Sequence, residues 1–426
     1  MQIDELYKIF LQYPSVQTDT RKLKKGDLFF ALKGPSFNGN HFAEHALNAG
    51  AAYAIVDEPI KFSSEKIIHT DDVLTTLQQL AKYHRQQFNI PFIAITGSNG
   101  KTTTKELVHE VLSTQYKTYT TEGNLNNHIG IPLTILKVKK DAAIAVVEMG
   151  ANHQKEIESY CSYTLPTHGL ITNCGKAHLE GFGGIEGVKK GKGELFDFLK
   201  ATKGTAFIMS DYVYLKEMSR GIEKIITYGT GSEAQITGVV EEGNDFLWVN
   251  ILNGSSAGVI KTQMVGDYNL PNVLSAVAIG TYFNIPGNQI KQAIENYVPS
   301  NSRSQLIEKG TNKIILDAYN ANPTSMKAAI ENFAKMEGGK KILLLGGMME
   351  LGDESLPEHE AIIDLLKKYT WQNVVLVGGD YSKIKHPFIN LNNSLEGKEW
   401  LQKQQLENSH ILIKGSRSMK MERVLE

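Results

Sequence analysis

A glycine-rich run, ITGSNGKTTTK, spans residues 95–105 and carries the residue types that hold the phosphates of a nucleotide. Gly97 and Gly100 allow the backbone to turn so that successive N–H groups point at one anion, and Lys101 adds a positive charge. The hydroxyl of Thr102 is suited to Mg²⁺. The run lacks one glycine of the full phosphate-loop pattern, so it is a shortened variant. A glycine-rich turn without a ligand is the alternative interpretation.

Two further side chains have chemistry that suits a metal-dependent reaction, and a third would have it only after a change in its own chemistry. Glu148 ends the apolar run AAIAVVE, where a carboxylate can hold a metal or its water, although a helix cap or a surface charge is the alternative. His178 follows another strand in a glycine-bearing loop, where a solvent-facing histidine is the alternative. Lys192, in KKGKGELF, is by itself a solvated helix residue, because an ammonium group cannot bind a cation.

Two asparagines in the run DAYNANPTSM, Asn320 and Asn322, have amide groups that can orient a substrate by hydrogen bonds. Asparagine and proline are also turn residues, so a purely structural turn explains this run equally well. The spacing alone does not separate the two interpretations.

The elements that must position these residues alternate between strands and helices, which predicts parallel sheets covered on both faces. The predicted strands include FIAIT, AAIAVVE, HGLIT and GTAFIM in the middle of the chain, and NKIILD, KKILLLGG, NVVLVGG and HILIK near its end. Each motif follows the carboxyl end of such a strand, which is where ligands gather in open parallel sheets. Residues 225–265 alternate polar and apolar side chains between turns, which predicts a local antiparallel excursion.

The length of 426 residues favours two or three domains. We predict an α/β protein of three domains. A central domain with a phosphate-loop (P-loop)-type parallel sheet, residues 86–300, is flanked by a small N-terminal α/β domain, residues 1–85, and by a C-terminal Rossmann-like α/β domain, residues 301–426. Pro91 and the polar run PSNSRS mark the two boundaries.

The composition excludes several classes of partner. Lys and Arg together number 45 and Asp and Glu 46, so no overall basic field draws the chain onto nucleic acid or an anionic membrane. Cys161 and Cys174 form neither a disulfide framework nor a CxxC pair, which fits a reducing cytoplasm. The sequence shows no signal-peptide pattern and no apolar run of ~20 residues. We expect a cytoplasmic monomer that binds no nucleic acid and does not insert into a membrane.

The motifs together resemble the Mur ligases, the ATP-dependent amide-forming enzymes of peptidoglycan precursor synthesis, over nearly the whole chain. TGSNGKTTT, Glu148, His178 and the order of the motifs carry the family signal. The runs GNLNNHIGIPLT, VVEMGANHQKEI, AHLEGFGG and DAYNANPTSM are similar to those of the members that add D-alanyl-D-alanine to UDP-N-acetylmuramoyl-tripeptide. TDTRKLKKGDLFFALKG and KGSRSMKMERV agree with the same members.

The resemblance implies ATP and Mg²⁺ as cofactors, with Thr102, Glu148, His178 and Lys192 as metal ligands. It also implies that CO₂ carbamylates Lys192, which converts the ammonium group into a carboxylate-like ligand. Lys101, Lys192 and His178 are the implied catalytic residues. The implied ATP site consists of Gly97, Ser98, Asn99, Gly100, Lys101, Thr102, Thr103, Asn272, Arg303 and Asp317. The implied substrate site consists of Thr20, Arg21, Lys33, Gly34, Asn126, Asn127, Asn320 and Asn322, the first four on a domain that holds the uridine nucleotide.

The sequence departs from the family pattern at two places. Gly347 stands where the family often has an aspartate, and Leu270 and Pro271 stand where histidine-containing versions are frequent. Two other kinds of enzyme share parts of the pattern: a nucleotide-binding switch or transport ATPase shares the phosphate loop, and a folylpolyglutamate-synthase-like ligase shares the central fold. The first has no use for a uridine-nucleotide domain and the second lacks one of this type. A non-catalytic binding module fits least, given so many catalytic residue types in register.

Overall fold

The N-terminal part of the chain forms a small parallel sheet with a hairpin beside it. The structure, a computed structural model, describes residues 1–62, 64–243, 245–300 and 302–426. The sheet has the order β1-β2-β5-β6, and β3 pairs with β4 in the hairpin. The elements are α1 Ile3–Gln12, β1 Val16–Gln17, β2 Leu28–Phe30, β3 Lys33–Gly34, β4 Phe37–Asn38, α2 Ala43–Asn48, β5 Tyr53–Val56, β6 Ile67–His69 and α3 Val73–Arg85.

Helix α3, Val73–Arg85, begins with a side-chain cap. Its N-cap is Asp72, whose carboxylate accepts a hydrogen bond from the Thr75 N–H at 2.6 Å. This bond satisfies one of the backbone donors that every helix start leaves free. At its other end, Arg85 lies over the Phe92 ring, 3.9 Å from the ring centroid. The helix therefore packs directly onto the first strand of the central sheet.

The central part of the chain forms a sheet of nine strands with the order β15-β14-β13-β12-β11-β10-β7-β9-β8. Its strands are β7 Phe92–Thr96, β8 Thr118–Thr120, β9 Ile144–Glu148, β10 His168–Ile171, β11 Thr205–Met209, β12 Lys224–Gly229, β13 Ile236–Glu241, β14 Trp248–Asn253 and β15 Val259–Lys261. Its helices are α4 Lys101–Ser113, α5 Gly130–Leu136, α6 Glu156–Thr164, α7 Leu179–Phe182, α8 Ile185–Thr202, α9 Val213–Met218, α10 Leu270–Tyr282 and α11 Gly287–Asn296.

The predicted antiparallel excursion is present but starts later than expected. β12 pairs in parallel with β11 and with β13, and the antiparallel pairings in this segment are those of β14 with β13 and with β15. The run KIITYG is a parallel strand because helix α9 supplies the crossover that such a pairing needs. The prediction for residues 225–265 was therefore wrong at its N-terminal end.

The C-terminal part forms a six-stranded sheet with the order β16-β17-β21-β18-β19-β20. Only β16 and β17 pair antiparallel. Four of these strands were predicted, and the two at the sheet edges, β16 and β20, were missed. The elements are β16 Gln305–Lys309, β17 Asn312–Asp317, α12 Pro323–Lys335, β18 Lys340–Gly346, α13 Ser355–Leu366, β19 Asn373–Val377, β20 Ile389–Leu391, α14 Ser394–Lys403 and β21 Ser409–Lys414.

The register of the central strands aligns the carboxyl ends of β7, β9 and β10 at one end of the sheet. Ile95 of β7 lies opposite Glu148 of β9, and Thr96 of β7 lies opposite Ile171 of β10. The segments that follow these strands therefore leave the sheet side by side, as expected of parallel neighbours. In the third sheet, Asp317 lies opposite Lys414 in the same way.

Within the described ranges, no helix is both long enough and apolar enough to cross a bilayer.

Candidate active site

A cavity of about 1100 Å³ lies between the central and the C-terminal sheets. Its walls come from the phosphate loop, the loop after β8, the loop after β10, and the segment that follows β17. These are carboxyl ends of strands from two domains. The sequence-predicted residues from Ser98 to Thr103 line it, together with Glu148, His178, Arg303 and Asp317.

The two glycines of the phosphate loop are required by their surroundings. Gly97 has φ +142°, and a Cβ there would lie 1.9 Å from Oγ1 of Thr172. Gly100 has φ +80°, and a Cβ there would lie 2.5 Å from Oδ1 of Asn272. Any larger residue would both strain the backbone and collide with a neighbour. Helix α4 starts directly after Gly100, so its free N–H groups point into the cavity, as phosphate binding requires.

The loop after β10 braces the phosphate loop. The Asn99 N–H donates to Oδ1 of Asn173 at 3.0 Å, and the Ser98 hydroxyl donates to the Gly175 carbonyl at 2.9 Å. The Thr172 hydroxyl donates to the Asn99 carbonyl at 2.6 Å. Hydrogen bonds to the segment that follows β10 therefore fix the conformation of the phosphate loop.

Lys101 points back over its own loop. Its Nζ donates to the carbonyls of Gly97 at 2.7 Å and Ser98 at 3.2 Å. Burial lowers the pKa of Lys101 to about 8; within this value the charge of Glu148 acts in the opposite direction and that of Arg303 in the same direction as burial. A phosphate in the loop would restore the charged form, because an anion stabilises an ammonium group.

Glu148 is almost fully buried and only half of its carboxylate is hydrogen-bonded. Oε1 accepts from Oγ1 of Thr102 at 3.2 Å and from Nδ2 of Asn126 at 2.7 Å. Oε2 has no partner among the described residues. A buried carboxylate oxygen without a partner is costly, so it indicates a site for a cation.

His178 is the residue before α7 and has a left-handed backbone, with φ +53°. Its Nδ1 contacts Oε2 of Glu350, which belongs to the C-terminal domain. The contact with His178 lowers the pKa of Glu350. The sequence analysis did not single out Glu350. The available signal was an acidic residue shortly after the carboxyl end of a predicted strand.

Lys192 is buried on α8, with 1% of its surface exposed. Its Nζ donates to the Ala151 carbonyl at 3.0 Å and lies 4.9 Å from the Phe182 ring centroid. Among the described residues it has no carboxylate partner. Burial, together with the nearby charge of Lys101, lowers the pKa of Lys192 to about 7. The sequence-based alternative of a solvated helix residue was wrong, because this face of α8 points into the protein.

The side chains present suit a magnesium ion that keeps other ligands. The described residues contain no group of three or more His, Cys, Asp or Glu side chains able to hold a metal. However, Mg²⁺ commonly binds one or two carboxylates, water and substrate phosphates. The unpartnered oxygen of Glu148 and the hydroxyl of Thr102 provide oxygen ligands of this kind.

The C-terminal domain contributes charged groups to the cavity. Oδ2 of Asp317 accepts from Nζ of Lys414 at 2.5 Å, and Oδ1 accepts from the Ser304 N–H at 3.2 Å. The guanidinium carbon of Arg303 lies 3.6 Å from the centroid of the Tyr319 ring, and the buried Nε of Arg303 has no hydrogen-bond partner in the described part of the chain. Arg303 therefore offers a free donor near the phosphate loop.

The two predicted substrate asparagines are already engaged by the protein. Asn322 is the N-cap of α12, where Oδ1 accepts from the Ser325 N–H at 2.9 Å, and Nδ2 donates to Oδ1 of Asn99 at 2.7 Å. Oδ1 of Asn320 accepts from the Ala321 N–H at 2.9 Å. Both residues line the cavity, but the turn interpretation describes their present contacts.

The other predicted asparagines also have protein partners. Oδ1 of Asn272 accepts from Oγ1 of Thr104 at 3.1 Å, and Nδ2 of Asn272 donates to Asn269 at 2.9 Å. Oδ1 of Asn127 accepts from the Gly130 N–H at 2.9 Å at the start of α5. Their roles toward ATP and substrate stay predictions.

Four predicted substrate residues lie on the N-terminal domain and are not in the lining of this cavity. Thr20 and Arg21 lie in a short 3₁₀ turn, and the Arg21 guanidinium pairs with Asp19 at 2.8 Å. Lys33, next to Gly34 in the β3–β4 hairpin, contacts Asp57 at 3.2 Å. Their role in binding a uridine nucleotide stays a prediction.

Gly347 has a local structural explanation. A Cβ at this position would lie 2.5 Å from Cα of Gly379, in the loop after β19. The two glycines allow the loops after neighbouring strands to touch. An aspartate would not fit here unless the second loop moved.

Three family models match the chain. The model described as "Mur ligase family, catalytic domain" matches residues 12–87, "Mur ligase middle domain" matches residues 95–280, and "Mur ligase, glutamate ligase domain" matches residues 302–417. Together these matches leave few residues of the chain uncovered.

Individual relatives are similar over almost the whole chain. A UDP-N-acetylmuramoyl-tripeptide--D-alanyl-D-alanine ligase of Bacillus subtilis is 37% identical over 96% of this chain and 92% of its own length. A crystal structure of MurF from Acinetobacter baumannii is 31% identical, with a TM-score of 0.87, over 96% of this chain and 92% of that one. MurF of Thermotoga maritima, solved in complex with ADP, is 25% identical, with a TM-score of 0.88, over 97% of both chains.

Proposed function

The chain belongs to the Mur ligase family, and we propose that it joins D-alanyl-D-alanine to UDP-N-acetylmuramoyl-tripeptide in an ATP-dependent reaction of peptidoglycan precursor synthesis. The full-length relative from Bacillus subtilis carries the name of this activity. ATP as the nucleotide is supported by the similar Thermotoga maritima structure, whose title names ADP.

One observation carries the proposal. The phosphate loop, the half-satisfied carboxylate of Glu148, and the C-terminal segment from Asp317 to Asn322 all line a single cavity between two domains. A site of this kind can hold a triphosphate against one wall and an amine-bearing substrate against the other.

The reaction needs ATP because a carboxylate does not react with an amine at neutral pH. In the proposed first step, an oxygen of the tripeptide's terminal carboxylate attacks the γ-phosphorus, the bond to the β-phosphate breaks, and an acyl phosphate and ADP form. Lys101 and the N–H groups at the start of α4 stabilise the charge on the phosphoryl oxygens. Mg²⁺, when bound by Thr102, Glu148 and His178, supplies further positive charge to these oxygens.

Carbamylation of Lys192 is part of the proposal. Only a neutral amine attacks CO₂, and the lowered pKa of about 7 makes the neutral form available at neutral pH. The burial of Lys192 without an ion-paired carboxylate among the described residues supports this role, because burial disfavours the ammonium form and leaves more of the amine neutral. The carbamate would turn this buried cation into a fourth metal ligand.

In the proposed second step, the amine of D-alanyl-D-alanine attacks the acyl carbonyl, and the tetrahedral intermediate collapses with loss of phosphate. Water competes with the amine for the acyl phosphate, so the site must be closed during the reaction. The contacts between the central and C-terminal domains around Asn99 and His178 are suited to this closure.

The remaining assignments are proposals of the same kind. We assign substrate contacts to Thr20, Arg21, Lys33 and Gly34 for the uridine nucleotide, and to Asn126, Asn127, Asn320 and Asn322 within the cavity. We also propose the domain limits 1–85, 86–300 and 301–426, a cytoplasmic location and a monomeric state.

The proposed function is tested by phosphate release from ATP, with UDP-N-acetylmuramoyl-tripeptide and D-alanyl-D-alanine each omitted in turn. We expect release only when both are present, together with a product whose mass equals that of the two substrates minus one water. A Lys101→Ala variant, which lacks the phosphate-loop charge, is the inactive control. Release that does not depend on D-alanyl-D-alanine would contradict the proposal and favour a simple ATPase.

A further inference from the structure

Arg417, in the segment after β21, has no place among the residues of the proposed reaction, yet it borders the cavity. Its guanidinium carbon lies 5.3 Å from the centroid of the Tyr319 ring, and its backbone N–H donates to Oδ1 of Asn320 at 3.4 Å. Tyr319 and Asn320 both line the cavity. Arg417 therefore lies at the rim of the wall that would hold the amine-bearing substrate.

The guanidinium group of Arg417 is anchored on one side only. Nη1 donates to Oε1 of Glu422 at 3.4 Å, and the group lies over the Tyr319 ring. In the part of the chain that the structure describes, Nε and Nη2 of Arg417 have no hydrogen-bond partner. The side chain is 63% exposed, so these donors are accessible. A guanidinium group presents its N–H donors in a plane that matches the two oxygens of a carboxylate.

Two other cations of this wall, Lys414 and Arg303, have other partners. Lys414 is buried and its ammonium group pairs with Asp317, so its charge is compensated. Arg303 lies close enough to Lys101 of the phosphate loop for its charge to lower the pKa of that lysine, which assigns Arg303 to the nucleotide side. The ion pair of Arg417 is exposed, and such a pair is weak because water screens it. Arg417 is therefore the cation of the three that suits a further anion.

We propose that Arg417 binds the terminal carboxylate of D-alanyl-D-alanine and thereby selects an acceptor with a free acid group. This inference rests on the proposed function, because it assumes that the dipeptide is the acceptor. Two residues of extended chain span at most about 7 Å. Asn322 contacts the phosphate loop, and Asn320, two residues before it, contacts Arg417. The dipeptide therefore has the length needed to place its amine near the phosphate loop while its carboxylate meets Arg417.

The charge around Tyr319 supports the same placement. The guanidinium carbons of Arg303 and Arg417 lie 3.6 and 5.3 Å from the centroid of this one ring. Two positive charges at one wall of a cavity raise the local potential, which attracts an anionic ligand. The phosphates of ATP are also anionic, so the experiments must separate the nucleotide from the dipeptide.

The first experiment removes the charge from the enzyme and from the substrate in turn. Wild type, Arg417→Gln, Arg417→Lys and Arg423→Gln are assayed for phosphate release with D-alanyl-D-alanine and with its C-terminal amide, which keeps the amine but lacks the carboxylate. Arg423 is the matched control, because it lies in the same C-terminal segment and pairs with Glu426. Since the Arg417 side chain is exposed, its variants should fold like the wild type.

We expect Arg417→Gln to raise the KM for D-alanyl-D-alanine by ~10-fold or more, with the KM for ATP unchanged. Arg417→Lys should recover part of this loss, because lysine keeps the charge but not the planar pair of donors. The wild type should use the amide with a KM raised by ~10-fold or more, and Arg417→Gln should use the amide as the wild type does. Arg423→Gln should match the wild type with both acceptors.

Three kinetic results would each overturn the inference: an unchanged KM for the dipeptide in Arg417→Gln, an equal loss for the dipeptide and its amide, or a rise confined to the KM for ATP. Ligation by the wild type together with any of these results would leave the proposed function intact.

The second experiment measures binding without turnover. D-alanyl-D-alanine and its amide are titrated by calorimetry into wild type and Arg417→Gln, each saturated with UDP-N-acetylmuramoyl-tripeptide and a non-hydrolysable ATP analogue. We expect the wild type to bind the acid ~10-fold or more tightly than the amide, and the variant to bind both with equal, lower affinity. Equal affinities in the wild type would overturn the inference. Carboxylate-dependent binding together with a failed ligase assay would overturn only the proposed function.

Discussion

Asn99 and Asn322 join the phosphate loop to the C-terminal domain by a reciprocal pair of side-chain hydrogen bonds. Nδ2 of Asn322 donates to Oδ1 of Asn99 at 2.7 Å, and Nδ2 of Asn99 donates back to Oδ1 of Asn322 at 3.4 Å. Asn322 also caps α12. The element that would hold the nucleotide is thereby connected to a helix start of another domain, and one side chain serves both purposes.

The two roles of Asn322 can be separated by two substitutions. Serine caps a helix about as well as asparagine but is too short to reach Asn99, whereas alanine also loses the cap, at a cost of about 1 kcal/mol. We therefore expect Asn322→Ser to unfold like the wild type and Asn322→Ala to be less stable in urea. Both should show a several-fold higher KM for ATP. An unaltered KM in Asn322→Ser would mean that the pair does not couple nucleotide binding to domain closure.

Lys192→Ala is expected to lower kcat by ~10²-fold or more, because the proposed carbamate ligand of the metal ion is lost. Added formate or acetate should restore part of the activity by replacing the carbamate. Lys190→Ala, at an exposed position of the same helix, is the matched control and should remain active. Full activity of Lys192→Ala would exclude the carbamate.

The same lysine predicts a pH dependence. With its pKa lowered to about 7, the amine of Lys192 is protonated as the pH falls below about 7, and an ammonium group cannot hold CO₂. Activity should therefore decline on the acid side of about pH 7 and recover when bicarbonate is raised at fixed pH. Rates independent of bicarbonate across this range would argue against the modification.

Glu148→Gln should separate stability from function. The substitution keeps an oxygen for Thr102 and Asn126 but removes a buried charge whose Oε2 has no partner among the residues that the structure describes. We expect the melting temperature without metal to be equal to or above that of the wild type. Added Mg²⁺ should raise the melting temperature of the wild type only, since a ligand stabilises the state that binds it. A similar Mg²⁺-induced rise in Glu148→Gln would place the cation elsewhere.

His168, at the start of β10, predicts a pH dependence of stability. Burial, together with the charge of Lys224, lowers the pKa of His168 to about 4. Below about pH 6.5 the unfolded chain takes up a proton that the folded state does not, so stability falls as the pH is lowered toward 4. At pH 5 the loss is about 2 kcal/mol relative to pH 7.5. Urea unfolding should show this loss in the wild type and in the exposed control His153→Gln, and a smaller loss in His168→Gln.

The sequence predicted the features that depend on local pattern. Buried strands such as β7 and β9 are continuous apolar runs, and the phosphate loop has a distinctive glycine spacing, so both could be located from the residues alone. The edge strands β16 and β20 are partly exposed and contain polar residues, so they lack such a run. The order of the strands within each sheet could not be predicted, because it depends on crossover connections that no local sequence pattern encodes.

The site shows the same division between local and long-range information. Glu148 was recognised because it ends a strand, but the burial of Lys192 depends on how α8 packs, which the residues around it do not reveal. The Asn99–Asn322 pair joins positions more than two hundred residues apart. The contact of His178 with Glu350 likewise exists only because two domains meet. Long-range pairs of this kind are set by the tertiary structure and have no local sequence signal.

The central claim is that ATP activates the tripeptide by phosphorylating its terminal carboxylate, and the transfer of oxygen tests it most directly. UDP-N-acetylmuramoyl-tripeptide carrying ¹⁸O in that carboxylate is incubated with ATP, Mg²⁺ and D-alanyl-D-alanine, and the released phosphate is analysed by mass spectrometry. The account predicts one ¹⁸O atom in the phosphate for each amide bond formed, because the attacking oxygen leaves with phosphorus. Phosphate without ¹⁸O, released while the amide forms, would contradict it.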